Sequence, residues 1–274
     1  MNSTRTTTEM DSLKARLRST WTAGDFGRIA EAIDAGARDF IERVGLKAGD
    51  QVLDVACGTG NTAIPAARAG ALVTGIDIAP NLIEQAIARN DAEKLNAEFD
   101  IGDAEAMPYD DDSFDVVVSM FGAMFAPRPD VTAAELKRVC RSGGIITMAN
   151  WTPEGFIGQM FKATGKYAAP PAGMPSPLLW GSDDAVSERF ADGIADLKTT
   201  RRTLFFTFPF GPAQTGEHFR LYYGPTQKAF ESLDTKKQHA LRTELEQLWA
   251  NHNQATDGTT RVESEYLEIR AILA

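Results

Sequence analysis

Residues 51–60 (QVLDVACGTG) constrain the fold more than any other stretch of the chain. The apolar run, interrupted by one carboxylate at Asp54, is typical of a short strand buried on both faces. Gly58 and Gly60 permit a tight turn and leave room for a ligand against the backbone. The alanine-rich residues 61–69 then predict a helix whose N-terminus faces whatever the loop holds. A strand, a glycine loop and a helix in this order favour an open α/β sheet.

The same alternation continues to residue 151, with further strands predicted at 72–78, 98–103, 114–120 and 145–151. Five strands separated by helices predict an α/β fold, a doubly wound, Rossmann-like parallel sheet with helices on both faces. After residue 152 the pattern changes to helices at 156–166, 183–190, 215–232 and 235–253, with strand-like runs at 202–210 and 262–273. We predict that these two strands close the sheet and that the two helices between them form a lid. Upstream, the apolar spacing over 28–44 predicts one amphipathic helix.

Three acids follow three successive predicted strands or end them: Asp54, Asp77 and Asp103. Ligands of open α/β sheets bind outside the carboxyl ends of the strands, so the three carboxylates should meet at one site. Asp77 follows the glycine loop by about 20 residues, where an acid that binds ribose hydroxyls is expected. The simpler alternative is that Asp77 only caps a helix or a turn. Because the N-cap position itself is Ala79, a poor N-cap, a purely local role for Asp77 is harder to accept.

Two ligand classes fit the glycine loop. Gly58-x-Gly60-x-x-Ala63 matches the dinucleotide fingerprint, which predicts a nicotinamide cofactor. S-adenosylmethionine is the second class, because its methionyl end carries an ammonium and a sulfonium that Asp54 would attract directly or through water. The same carboxylate would repel a diphosphate. A purely structural Asp54 that caps a turn is the remaining alternative.

Composition narrows the function further. The formal net charge of −10 disfavours nucleic-acid partners. The two cysteines, Cys57 and Cys140, provide neither a disulfide framework nor a metal cluster. The N-terminus is polar, and no run approaches the length of a membrane span. We therefore expect a cytoplasmic protein with a small-molecule substrate, no metal, no membrane partner and an undetermined oligomeric state.

Four segments in this order, VLDVACGTG, GIDIAPNLIEQA, IGDAEAMPYDDDSFDVVVS and RVCRSGGI, resemble the class I S-adenosylmethionine-dependent methyltransferases. The likeness is strongest to the branch of ubiquinone- and menaquinone-biosynthesis enzymes and other small-molecule methyltransferases, and it covers about residues 48–150. It implies seven strands with the last one antiparallel. It also implies three segments: an N-terminal helical segment over the cofactor (1–46), a cofactor-binding core (47–151), and lid helices with closing strands (152–274).

The resemblance also implies residue roles around S-adenosylmethionine. The residues expected to bind it are Trp21, Asp54, Ala56, Gly58, Gly60, Asp77, Ile78, Asp103, Ala104, Glu105, Ser119 and Phe121. Asp54 would lie near the ammonium, Asp77 would hold the ribose and Asp103 would accept from the adenine amino group. The tetrapeptide that marks methylation of planar amino groups is missing after the fourth strand, where SMFG stands, so such acceptors are disfavoured.

The expected activity is in-line methyl transfer to a small, apolar or aromatic molecule. A general base is needed only for a hydroxyl, a charged amine or a carbon acid. His218 is the candidate for it, and the neighbouring Tyr222 and Tyr223 are open to the same two interpretations, a base or a structural role. Aromatic residues of the lid either pack the core or line an acceptor pocket. An NAD(P)-dependent oxidoreductase and a non-catalytic S-adenosylmethionine-binding protein remain the alternatives.

Overall fold

The computed structural model describes residues 7–170 and 174–274; residues 1–6 of the predicted N-terminal segment and residues 171–173 lie outside the described part. Seven strands form one sheet: β1 Gln51–Val55, β2 Leu72–Asp77, β3 Glu98–Ile101, β4 Phe114–Met120, β5 Cys140–Trp151, β6 Ile194–Phe208 and β7 Thr260–Leu273. Their order is β3-β2-β1-β4-β5-β7-β6. Strands β1 to β5 are parallel, and β7 is antiparallel to both β5 and β6. This confirms the predicted mostly parallel sheet with an antiparallel last strand.

Eleven α-helices occur in the described part of the chain: α1 Thr7–Thr22, α2 Gly27–Ala30, α3 Asp34–Val44, α4 Ala63–Arg68, α5 Pro80–Ala92, α6 Pro129–Val139, α7 Phe156–Gly165, α8 Asp183–Arg189, α9 Pro212–Tyr222, α10 Gly224–Glu231 and α11 Thr235–His252. The central strands are fully buried, as Val52, Leu53 and Val117 show. Helices on both faces explain why these strands are continuously apolar rather than alternating. No helix among the described residues has the length and apolar character that crossing a membrane requires.

Two predicted helices are broken in the structure. The helix expected over 28–44 is divided by a 3₁₀ turn at Glu31–Ile33. The helix expected over 215–232 is two helices, because Tyr223 adopts an extended conformation (φ −88°, ψ 106°) between α9 and α10. Pro225 lies in the first turn of α10, and its missing amide hydrogen favours a new helix start over continuation of α9. Three helices instead of two therefore lie between β6 and β7.

Strand β6 also starts earlier than predicted, at Ile194 instead of residue 202. It is an edge strand that pairs on one side only, from Ile194 opposite Leu273 to Phe208 opposite Thr260. Its first half is mostly exposed and polar, so the alternation that marks a half-buried strand is weak there. Only the second half of β6, which is aromatic and packs under the lid helices, has a sequence pattern that predicts a strand.

Candidate functional site

A cavity enclosing about 1040 Å³ of space, part of it open to solvent, lies at the carboxyl ends of β1, β2 and β4. We call it the first cavity. Nine residues singled out from the sequence line it: Trp21, Ala56, Gly58, Asp77, Ile78, Asp103, Ala104, Met120 and Phe121. Its position matches the rule that ligands of open α/β sheets bind at the strands' carboxyl ends.

The floor of the first cavity is a strained backbone turn. Ala56 (φ 55°), Gly58 (φ 54°) and Gly60 (φ 79°) all have left-handed conformations. Phe121, which follows β4, is a second non-glycine residue in this region, with φ 58°. The two strained strand ends touch, since a Cβ on Gly122 would lie 2.4 Å from the carbonyl oxygen of Ala56. Strain of this kind persists only where the surrounding structure enforces it, and it concentrates at ligand sites.

Asp77 connects this turn to the next helix. Its Oδ2 accepts a hydrogen bond from the Gly58 backbone N–H at 2.8 Å, and its Oδ1 accepts from the Ala79 N–H at 2.8 Å. The second bond compensates for the poor N-cap at Ala79, so Asp77 has a local structural role and also lines the cavity. Burial raises the pKa of its carboxyl group above the ordinary value.

Asp54 lies beneath the floor rather than on it. The carboxylate is fully buried, and its Oδ2 accepts from the Thr62 hydroxyl at 2.5 Å. No described residue donates to its Oδ1. Desolvation raises the pKa of this carboxyl group to about 7. A buried acceptor oxygen without a partner is costly, and it suits a donor group or a water held between Asp54 and a ligand in the cavity.

A cluster of ion pairs links α1 to the residues that follow β3, at the side of the first cavity where Asp103 lies. Lys14 Nζ lies 2.5 Å from Asp103 Oδ2 and 2.6 Å from Glu105 Oε2. The Glu105 side chain is completely buried, and the Arg128 guanidinium pairs with it at 2.8 Å. Lys14 and Trp21 both lie on α1, and Trp21 also lines the first cavity. No local sequence pattern indicates this role for Lys14, because 89 residues separate it from Asp103.

Four of the residues expected to bind the cofactor do not line the first cavity: Asp54, Gly60, Glu105 and Ser119. Ser119 braces the strand ends instead, because its hydroxyl donates to the Val55 carbonyl at 2.7 Å and accepts from the Ala123 N–H at 3.0 Å. The predicted base His218 has its Nε2 3.2 Å from the Arg28 carbonyl oxygen and packs among aromatic rings away from both cavities described here.

A smaller, second cavity of about 360 Å³ adjoins the first. The two share five wall residues: Trp21, Phe26, Ile33, Phe121 and Phe125. The second cavity is completed by Ile29, Trp151, Ile157, Met160, Phe206, Phe219 and Tyr223.

None of the residues that line the second cavity carries a charge. Phe121 stacks on Trp151 with 3.5 Å between ring centroids, so the strained residue of the first cavity also forms a wall of the second. An apolar cavity next to one whose wall includes Asp77 and Asp103 provides separate environments for two reactants.

Comparison with known proteins decides the family. Residues 52–144 match a family model described as a methyltransferase domain. An uncharacterized protein of Mycobacterium tuberculosis is 43% identical over 218 residues, which cover 79% of this chain and 80% of the relative. A demethylmenaquinone methyltransferase of Tropheryma whipplei is 29% identical over 185 residues, covering 62% and 74% of the two chains. The chain belongs to the class I S-adenosylmethionine-dependent methyltransferases.

The fold agrees with this assignment. The crystal structure of a putative methyltransferase from Bacillus halodurans superposes with a TM-score of 0.58 at 21% identity, covering 87% of this chain and 98% of that one. Family membership makes the protein an enzyme that uses S-adenosylmethionine, and it favours that cofactor over the nicotinamide alternative for the glycine loop.

Proposed function

We propose that the first cavity holds S-adenosylmethionine and that the second holds a small, flat, apolar acceptor, to which the methyl group is transferred. The observation that carries this proposal is the shared aromatic wall between the two cavities. Because the cavities adjoin, two reactants held in them would be close and largely desolvated, which supplies much of the catalysis that an in-line displacement needs.

The residues of the first cavity fit the donor. Ala56 and Gly58 leave the backbone open to the methionyl group, and the unpartnered Asp54 Oδ1 suits its ammonium through water. Asp77 would accept from the ribose hydroxyls, and Asp103 would accept from the adenine amino group. Ile78 and Ala104 would contact the adenine ring, and Trp21 would cover it.

The acceptor class follows from the lining of the second cavity. Charged or strongly polar acceptors would lose their hydration there without compensation, because the wall offers rings, aliphatic groups and a thioether. The relative from Tropheryma whipplei, whose name gives demethylmenaquinone as its acceptor, supports a compound of this type.

No residue lining the second cavity can act as a general base at neutral pH. Among the residues that the structure describes, the wall of this cavity has no histidine, carboxylate or lysine, and burial raises the pKa of the Tyr223 hydroxyl above its ordinary value. S-adenosylmethionine, when bound, supplies a methyl group on a sulfonium that departs as a neutral thioether. The protein's part is to position the reactants and exclude water, and the acceptor must bring a nucleophile that needs no deprotonation by this wall.

Calorimetric titration tests the donor assignment. S-adenosylhomocysteine should bind and raise the melting temperature, whereas NADH and NADPH should do neither. The reverse result would favour the oxidoreductase alternative and overturn the proposal. Incubation with isotopically labelled S-adenosylmethionine and a panel of flat apolar compounds whose nucleophile needs no added base, such as aromatic thiols and heteroaromatic amines, tests transfer. Donor binding without transfer to any of them would favour the non-catalytic alternative.

A further inference from the structure

We infer that Tyr223 is a specificity-determining residue of the second cavity, whose hydroxyl donates a hydrogen bond to an oxygen on the acceptor. This inference rests on the proposed function and deepens it. The acceptor would then be a mostly hydrocarbon, flat molecule with one hydrogen-bond-accepting oxygen, such as a carbonyl, at a fixed place on its frame.

The chain places Tyr223 in the cavity by breaking a helix. Tyr223 is the extended residue between α9 and α10, and Pro225 accounts for the new helix start. Neighbouring rings fix the tyrosine ring: the centroid of Trp21 lies 5.9 Å away, and that of Phe219 lies 5.7 Å away. The side chain is therefore held in one orientation before any ligand arrives.

The hydroxyl itself has no protein partner. Among the described residues, none donates a hydrogen bond to it or accepts one from it, although Tyr223 is only 6% exposed. Buried tyrosine hydroxyls normally find a partner, and an unsatisfied one costs free energy. The buried hydroxyls of Ser119 and Thr215 bond within the protein, whereas that of Ser264 has no partner among the described residues but lines neither cavity. An unpaired hydroxyl in the wall of an apolar cavity therefore points to a ligand that completes it.

The chemistry of the wall defines what that ligand group is. Because burial raises its pKa, the Tyr223 hydroxyl keeps its proton at neutral pH and can donate a hydrogen bond, although its oxygen can also accept one. Among the described residues of the second cavity, the other side-chain N–H groups are the indoles of Trp21 and Trp151, which can only donate. A wall with three donor groups and a single hydroxyl oxygen as acceptor complements an acceptor oxygen on the ligand better than it complements a donor.

A cycle of two variants and two probes tests the inference. The variants are Tyr223→Phe and the control Tyr222→Phe; Tyr222 packs against His218 and lines neither cavity. The probes are 2-acetylnaphthalene and 2-ethylnaphthalene, which differ by a carbonyl oxygen, titrated calorimetrically in saturating S-adenosylhomocysteine. We expect Tyr223→Phe to weaken ketone binding by about five- to tenfold and to leave hydrocarbon binding within about twofold of wild type.

Tyr222→Phe should leave both probe affinities unchanged. Tyr223→Phe should also keep the melting temperature of the wild type or raise it slightly, because it removes a hydroxyl that bonds to nothing in the protein. Equal losses for both probes, or failure of the wild type to bind either one, would overturn the role of Tyr223. Titration of S-adenosylhomocysteine in the same samples separates this failure from that of the proposed donor site, which is overturned if the donor analogue does not bind.

Discussion

The two cavities differ in how the chain builds them. The first takes its polar groups from backbone turns and carboxylates that directly follow strands, so a few adjacent residues such as Ala56 to Gly58 form much of it. The second is assembled from side chains of α1, α7, β6 and α9 that come together only in the folded protein. The comparison teaches that the floor of the first cavity is set by local turns at the strand ends, whereas the second cavity depends wholly on tertiary packing.

Their energetics differ in the same way. The first cavity concentrates costly features: left-handed non-glycine residues, a buried carboxylate without a full set of partners, and an ion-pair cluster. The second is held by ring contacts, such as the stack of Phe121 on Trp151, and costs little apart from one unpaired hydroxyl. Substitutions should therefore affect the two cavities independently, except at the five shared residues.

The largest expected effect is in the first cavity. Asp77→Ala removes the acceptor for the Gly58 and Ala79 amides and the proposed ribose contact, and it should lower S-adenosylhomocysteine affinity by at least about tenfold. Binding of 2-acetylnaphthalene should stay within about twofold. Calorimetry measures both affinities, and melting temperature checks folding. Asp100→Ala, an exposed carboxylate on β3, is the control. Wild-type donor affinity in folded Asp77→Ala would refute the assignment.

The reciprocal change fills the second cavity. Met160 lines only that cavity, so Met160→Trp should weaken 2-acetylnaphthalene binding by about fivefold or more while donor affinity changes less than twofold. The larger side chain also costs about 1–3 kcal/mol of stability through overpacking. Lys162→Trp adds the same ring on the exposed side of α7 and should change neither affinity. A folded Met160→Trp protein with normal probe binding would show that the acceptor does not occupy this space.

The smallest expected effect is on the pH dependence of the protein's free energy of unfolding, and it comes from Asp54 beneath the first cavity. The pKa of Asp54 is about 7 in the folded protein, against an ordinary value of 3.8. Between these values the unfolded chain releases a proton that the folded protein keeps, so the free energy of unfolding from this group falls as pH rises from about 4 to 7. Asp54→Asn removes this contribution. Urea unfolding at pH 5 and pH 7.5 should therefore show a smaller decrease in the variant, and equal decreases would contradict the assigned pKa.

The sequence contained enough to predict the sheet and the region of the first cavity, because those signals are local. The apolar run before Asp54, the glycines after it and the acid at Asp77 are short-range patterns that fix strands and turns directly. The pairing of Lys14 with Asp103 carried no such signal, since it depends on how α1 packs across the folded sheet.

The second cavity was predicted only as a general possibility for the lid aromatics. Of the large apolar residues in the segments after residue 152, Phe219 and Met160 line it, whereas Trp180 lies elsewhere in the core. Gly224-Pro225 could have revealed the helix break and hence Tyr223, but the amphipathic pattern on either side of it suggested one continuous helix. At this position tertiary packing breaks the helix that the local apolar pattern predicts.

The wall of the acceptor compartment runs from Trp21 to Tyr223, so most of the polypeptide must be in place before it exists. During synthesis on the ribosome, the strands that cradle the donor emerge long before the ring cluster can close. A nascent or truncated chain lacking α9 would thus lack the second cavity, whatever that cavity holds in the complete fold.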